Sequence, residues 1–194
     1  LINSPLNTVI ALDKSIKSPA DLQGKKVGYS VSGIEQATLA TMAQHAKIDP
    51  KSIKLINVNF QLTSALLAGQ VDAVIGGYRN IEALELKLQG KDPQVMNVED
   101  YGVPAYDELV IVANRDEVHA AKIRAFLKAL QKGVAYLRAH PQETWQAFAA
   151  AHPELNTELN KQAWLKTLPL FASDPAALDK PRDLKSTRLN SSHV

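Results

Sequence analysis

Lys26-Val27-Gly28-Tyr29-Ser30-Val31-Ser32-Gly33-Ile34-Glu35 is the stretch whose reading decides the fold. A β-rich run, Lys26 to Ser30, follows the turn glycine Gly24 and reads as a strand. From Ile34 to Ala46 the apolar residues fall at 34, 37, 39, 42, 43 and 46, a helical stripe. Asp49-Pro50 breaks that helix, and the β-branched run Ile53 to Val58 reads as the next strand. Leu62 to Leu67 forms a short helix, with Gly69 suited to a left-handed C-terminal cap. Val71 to Ile75 is a strand ended by Gly76-Gly77, and Ile81 to Leu88 a helix stopped by Gly90. Val95 to Val98 and Leu109 to Ala113 complete the strands. Such alternation requires parallel strands joined by right-handed crossovers. The fold class is therefore α/β, an open, mostly parallel sheet with helices on both faces. Ligands of such sheets lie beyond the carboxyl ends of the strands. That rule selects the loops after Tyr29, after Val58 and after Ile75.

From about Asp116 the pattern is almost wholly helical. Val118 to Leu137 places Phe126, Leu127, Leu130, Val134 and Leu137 on one face. Pro141 opens another helix, where its missing N–H costs little. Trp145 and Phe148, three apart, share a face and read as core, and a third helix spans about Thr157 to Leu168. Pro181 to Val194 carries no amphipathic period and reads as a disordered or non-native tail.

The 194 residues are 45% hydrophobic and 22% charged, ordinary globular usage. Twenty-two basic against 20 acidic residues leave a charge of +2, which argues against nucleic-acid binding by bulk charge. The absence of cysteine removes disulfides, thiolate zinc sites, iron–sulfur clusters and cysteine nucleophiles. No apolar run reaches the roughly 18–20 residues that span a bilayer. Gly-x-Ser-x-Gly, the phosphate-binding Gly-rich loop and His-Glu-x-x-His are all lacking. The histidines are scattered, so neither a metal site nor a catalytic constellation is expected.

Candidate site residues cluster in three places. In Ser30-Val31-Ser32-Gly33 a strand meets a helix N-terminus, where free N–H groups, two hydroxyls and the helix dipole suit an anion or another acceptor. Plain capping by Ser32 explains the same residues, and Glu35 in the first turn suits the dipole in either case. In Gly76-Gly77-Tyr78-Arg79-Asn80-Ile81-Glu82, the glycines let backbone approach a ligand and Asn80 is placed to cap the next helix. Tyr78 and Glu82, four apart, offer an aromatic face beside a carboxylate, the pair that a flat, amine-bearing heterocycle uses. A surface turn with Arg79 and Glu82 paired in solvent is the competing reading. Tyr106 and Asp107, before the expected strand at Leu109, read as a pocket rim or a plain loop.

Ser18-Pro19-Ala20-Asp21-Leu22-Gln23-Gly24-Lys25-Lys26-Val27-Gly28 resembles the opening motif common among binding proteins of ABC importers. Tyr29 to Glu35, Leu66 to Gly76 and Gly102 to Leu109 together resemble the NMT1/THI5-like group, which binds pyrimidine precursors of thiamine. The resemblance covers about residues 1–180. It implies the type II periplasmic-binding-protein fold, two lobes closing on a ligand, with the leading part of the first lobe outside this chain. Residues 23–112 would form the second lobe, and 1–22 with 113–180 the returning part of the first. Ser30, Ser32, Gly33, Glu35, Tyr78, Asn80, Glu82, Tyr106 and Asp107 would be the ligand-binding residues carried by the chain. Because aromatic groups of the family's pocket lie in the absent part, the chain alone is expected to bind poorly.

The resemblance also implies recognition without chemistry. The expected ligand is an aminopyrimidine and the expected partner a membrane ABC permease. The protein would be a monomer with no cofactor, periplasmic or membrane-anchored on the extracytoplasmic side. Yeast members of the group build the pyrimidine and resemble a cysteine-bearing active motif, which this chain lacks. The same fold also serves sulfonate-binding proteins and the sensing domains of transcription regulators, and both stand as competing readings.

Overall fold

The computed structural model describes residues 1–117 and 121–172. The expected tail at 181–194 and the first residues of the helix expected from Val118 lie outside the described residues.

Five strands form one sheet: β1 (Asn7–Ala11), β2 (Lys26–Tyr29), β3 (Lys54–Asn57), β4 (Ala73–Tyr78) and β5 (Gln94–Asn97), in the order β3-β2-β4-β1-β5. Three helices alternate with them: α1 (Ile34–His45), α2 (Leu62–Leu67) and α3 (Glu82–Leu88). β2 runs parallel to both β3 and β4, as the crossover rule demands. The carboxyl ends of these strands, and the loops chosen from the sequence, consequently share one edge of the sheet.

β1 is a strand that the residue pattern does not reveal. It lies antiparallel between β4 and β5, so the sheet is mostly parallel with one reversed strand. All five of its residues are buried, which removes the polar/apolar alternation that marks a half-exposed strand. Asn7–Ala11, within the segment 1–22, is thus an interior strand of the sheet.

Burial on both faces explains the apolar runs. Val9, Ala11, Ala73 and Ile75 face one core with Leu39 and Met42 of α1, while Ile10 and Val74 face a second core with Leu62, Leu66 and Leu86. The α1 stripe is shifted from its expected position. Ile34 is 66% exposed, whereas Glu35 is only 6% exposed and shares the buried face with Leu39, Met42 and Ala43.

Leu109–Ala113, expected as a strand, makes a single bridge, Leu109 to Ile2. Val110, Ile111 and Val112 are exposed at 56%, 37% and 86%. Among the described residues no neighbouring strand pairs with them, and apolar, β-branched sequence does not make a strand without a hydrogen-bonding partner.

The second half forms α4 (Ala121–Ala139), α5 (Pro141–Ala151) and α6 (Glu158–Thr167). On the apolar stripe of α4 only Val134 is buried. Trp145, Phe148 and Trp164 pack together, with ring centroids 5.5–5.9 Å apart; Trp145 is buried as expected, whereas Phe148 is only half-buried. Arg138, in the last turn of α4, donates to the carbonyls of Leu168, Pro169 and Phe171, tying the segment after α6 to α4.

One irregularity in the sheet shapes its strand-end edge. Thr8 pairs with Gly77 and Val9 with Ile75, which leaves Gly76 as an extra residue in β4, a β-bulge. The glycines expected to lie after the strand are thus inside it, and the turn falls at Arg79–Ile81. Gly76 has φ +99°, and a Cβ there would sit 2.4 Å from a Glu35 carboxylate oxygen. Gly76→Ala is expected to destabilise the protein by at least about 2 kcal/mol, since a positive φ alone costs an L-residue roughly 1–2 kcal/mol. Calorimetry should find Tm lowered by roughly 4–8 °C.

Candidate functional site

The strand-end edge is organised around the Gly76 bulge. A bulge leaves a backbone N–H outside the ladder, and here the Gly76 N–H donates to Asn7 Oδ1 at 3.1 Å. On the other side, the Glu35 carboxylate lies against Gly76 and accepts from the N–H groups of Ser30 (2.7 Å) and Val31 (3.1 Å). Glu35, expected as a candidate ligand group, therefore fills the N–H cradle at the end of β2. Gln36 closes the helix start by accepting from the Gly33 N–H at 3.1 Å. Ser32 is exposed, and its hydroxyl reaches Gln36 Oε1 only at 3.4 Å, so it does not cap α1. The Ser30 hydroxyl is buried with no hydrogen-bond partner.

At the end of β4, the Tyr78 N–H donates to Glu82 Oε2 at 2.6 Å. The expected proximity of these two residues is realised, but through the backbone of Tyr78, because α3 begins only at Glu82. Burial raises the carboxyl pKa of Glu82 above its usual 4.5, against the lowering effect of the Tyr78 N–H. The Tyr78 hydroxyl donates to Glu108 Oε1 at 3.2 Å, and burial, then the Glu108 charge, pushes its pKa up to about 12. Tyr106 is likewise raised, first by burial and then by the charge of nearby Glu108. Asp107 is half-buried beside them.

Two readings of this turn do not hold. In the competing one Arg79 pairs with Glu82, and it does not. Its guanidinium binds both carboxylate oxygens of Glu99, at 2.8 and 2.9 Å. Asn80 does not cap α3, whose N-cap is Ile81. Its Nδ2 donates instead to Thr167 of α6 at 2.8 Å, leaving Oδ1 buried and without a partner.

The structure thus brings Ser30, Glu35, Tyr78, Glu82 and Tyr106 to one edge, directs Asn80 to α6, and leaves Ser32 and Gly33 at the exposed helix start. Sequence reasoning misses Asn7, Glu108 and the Glu99 partner of Arg79. Asn7 opens a strand that has no pattern, and Glu108 stands in a loop where nothing local marks it. A separate cavity of about 290 Å³ among α4, α5 and α6 is lined by Leu137, Trp145, Phe148 and Trp164. The amides and hydroxyls at its wall, Asn160 and Thr167, are bonded within the protein, so it offers little to orient a polar ligand. Among the described residues no group of histidines and carboxylates could hold a metal ion, and no helix is long and apolar enough to cross a membrane.

The architecture matches solute-binding proteins of the type II periplasmic fold. The periplasmic aliphatic sulphonate binding protein of Escherichia coli superposes with a TM-score of 0.66 at 18% identity, over 96% of this chain and 63% of that one. The family model described as NMT1/THI5 like matches residues 1–144, and the chain belongs to that family. A protein of Haemophilus influenzae named for thiamine biosynthesis is 52% identical over 184 residues, 94% of this chain and 59% of its own length. A formylaminopyrimidine-binding protein of Halalkalibacterium halodurans is 35% identical, over 88% of this chain and 53% of its own length. A 4-amino-5-hydroxymethyl-2-methylpyrimidine phosphate synthase of Legionella pneumophila is more distant, at 27% over 94% of this chain and 59% of its own length. The chain therefore spans little more than half the length of these relatives.

A carboxyl whose pKa burial raises contributes stability below its ordinary pKa and loses it as the pH rises through the raised value. Glu82→Gln, which can still accept from the Tyr78 N–H, should thus give a higher Tm than the parent at pH 7. The difference should close by pH 4, a pattern checked by calorimetry across that range.

Proposed function

We propose that the protein is the solute-binding subunit of an ABC importer that captures an aminopyrimidine precursor of thiamine. The observation carrying this reading is that Glu35 already occupies the N–H cradle at the end of β2. That cradle is the natural place for an oxyanion. With a carboxylate in it, and with Glu82 and Glu108 nearby, the edge repels a second anion. The adjacent cation, Arg79, is neutralised by Glu99. A neutral heterocycle carrying an amine meets the opposite situation.

In this reading Glu82 accepts from the exocyclic amine, since one hydrogen bond from Tyr78 leaves a carboxylate with further lone pairs. The unpartnered Ser30 hydroxyl serves a ring nitrogen, and the rings of Tyr78 and Tyr106 flank the heterocycle. Analogues lacking the amine would leave a desolvated acceptor unpaired, which is the physical basis of selectivity. Asp107 belongs to the same rim, and the buried Asn80 Oδ1 is a further acceptor. Ser32 and Gly33, at the exposed helix start, keep at most an outer place. One lobe is built on the five-stranded sheet, β1 included, and the helical part returns to the other. Capture needs both lobes, and the closed monomer then presents them to a permease on the extracytoplasmic side. No cofactor enters. Transport is favoured over synthesis because the relative named for binding is 35% identical, nearer than the synthase at 27%.

Calorimetry on the full-length protein with 4-amino-5-hydroxymethyl-2-methylpyrimidine is the test, with Glu82→Gln expected to weaken binding at least tenfold. Unchanged affinity removes Glu82 from the site. The sulfonate reading rests on fold likeness alone. A thermal-shift panel should show stabilisation by aminopyrimidines and none by alkanesulfonates, and the reverse result would replace the aminopyrimidine reading.

A further inference from the structure

The cavity of about 290 Å³ among α4, α5 and α6 is walled by Leu137, Trp145, Phe148, Trp164, Leu168 and Phe171, and none of its lining residues is charged. Phe148 and Trp164 stack, with ring centroids 5.5 Å apart and 28° between the planes, and Trp145 tilts across both at 5.9 Å. Empty space in a core partly closes where neighbouring side chains can shift towards it. Here hydrogen bonds hold the walls apart. The Trp164 Nε1–H donates to the Pro141 carbonyl at 3.2 Å, tying α6 to the start of α5. Asn160 Nδ2 donates to the Leu155 carbonyl at 2.9 Å, fixing α6 to the turn that precedes it. Arg138 holds the carbonyls of Leu168, Pro169 and Phe171 against the end of α4. Thr167 accepts from Asn80 at 2.8 Å and donates to the Ala163 carbonyl at 2.7 Å. Collapse into the cavity would break these bonds and leave partly buried donors and carbonyls unpaired.

We propose that this cavity is a second binding site, separate from the strand-end edge, that takes a neutral aromatic molecule of one or two rings. Volume bounds the size: a dry apolar cavity of roughly 150 Å³ admits benzene, and this one is about twice as large. The lining sets the chemistry. An ion entering would give up its water against walls that carry no opposite charge. A polar molecule meets the Trp164 N–H, the Asn160 amide N–H and the Thr167 hydroxyl with their protons already committed. An aromatic ring meets three others on which it packs offset or edge-on, and its burial removes apolar surface from water on both sides. None of this depends on what the strand-end edge binds.

The test labels the full-length protein with fluorotryptophan, because both tryptophans of this chain, Trp145 and Trp164, line the cavity. Trp145→Phe and Trp164→Phe assign their ¹⁹F resonances. Titration with toluene should shift both resonances to saturation and raise Tm by about 2 °C or more at ten times the dissociation constant. Benzoate, a similar ring carrying a charge, should do neither. Resonances that toluene leaves in place overturn the proposal, and so does an equal response to benzoate. Ala163→Leu adds bulk at a lining position and should weaken toluene at least tenfold. Unaltered affinity in the folded variant removes the cavity as the site. If Ala163→Leu does not fold, nuclear Overhauser contacts between toluene and the two indole rings decide, and their absence overturns the proposal. 4-Amino-5-hydroxymethyl-2-methylpyrimidine should not displace toluene; displacement would overturn the separateness of the two sites.

Discussion

A carboxylate folded back onto its own helix start, against a backbone that lacks a Cβ, holds the strand-end edge together. Glu35 satisfies the N–H groups of Ser30 and Val31, and it can reach them only because Gly76 bulges out of β4 with nothing on its α-carbon. The bulge in turn depends on Asn7, whose side chain takes the N–H that the ladder abandons. Three elements far apart in sequence, β1, α1 and β4, meet in this one arrangement. Its register fixes where Tyr78 emerges, and through Tyr78 it fixes the positions of Glu82 and Glu108.

The same arrangement bears on what the edge can bind. Helix N-termini attract anions, and a strand-to-helix loop with two serines is a natural oxyanion site. Here the protein supplies the anion itself. Burial raises Glu82, and burial followed by the charge of Glu108 raises Tyr78 and Tyr106. The two tyrosines stay neutral at pH 7 in any case, but a carboxyl raised in this way weakens the folded state there.

The alternating half of the chain is legible because its strands are apolar runs cut by glycines and prolines, and its helices keep a 3.6-residue period. β2, α1, β3, α2, β4, α3 and β5 all stand within a few residues of their expected places. What misleads is context. Asn7–Ala11 is too short and too evenly buried to alternate, and Leu109–Ala113 has strand chemistry without a partner. The α1 stripe is displaced by a residue because the apolar rule has no place for a buried glutamate.

Residue pattern by itself determined the α/β class, the parallel strands and the edge at which polar and aromatic side chains collect. It also shows that none of the 194 residues is a cysteine. Tertiary structure alone decided what those side chains do. Whether Glu35 awaits a ligand or caps a loop, and whether Arg79 is free or held by Glu99, depend on which segments approach. Those approaches are set by a bulge and a reversed strand. Both arise from pairing between residues some seventy positions apart, a separation at which local periodicity carries no information.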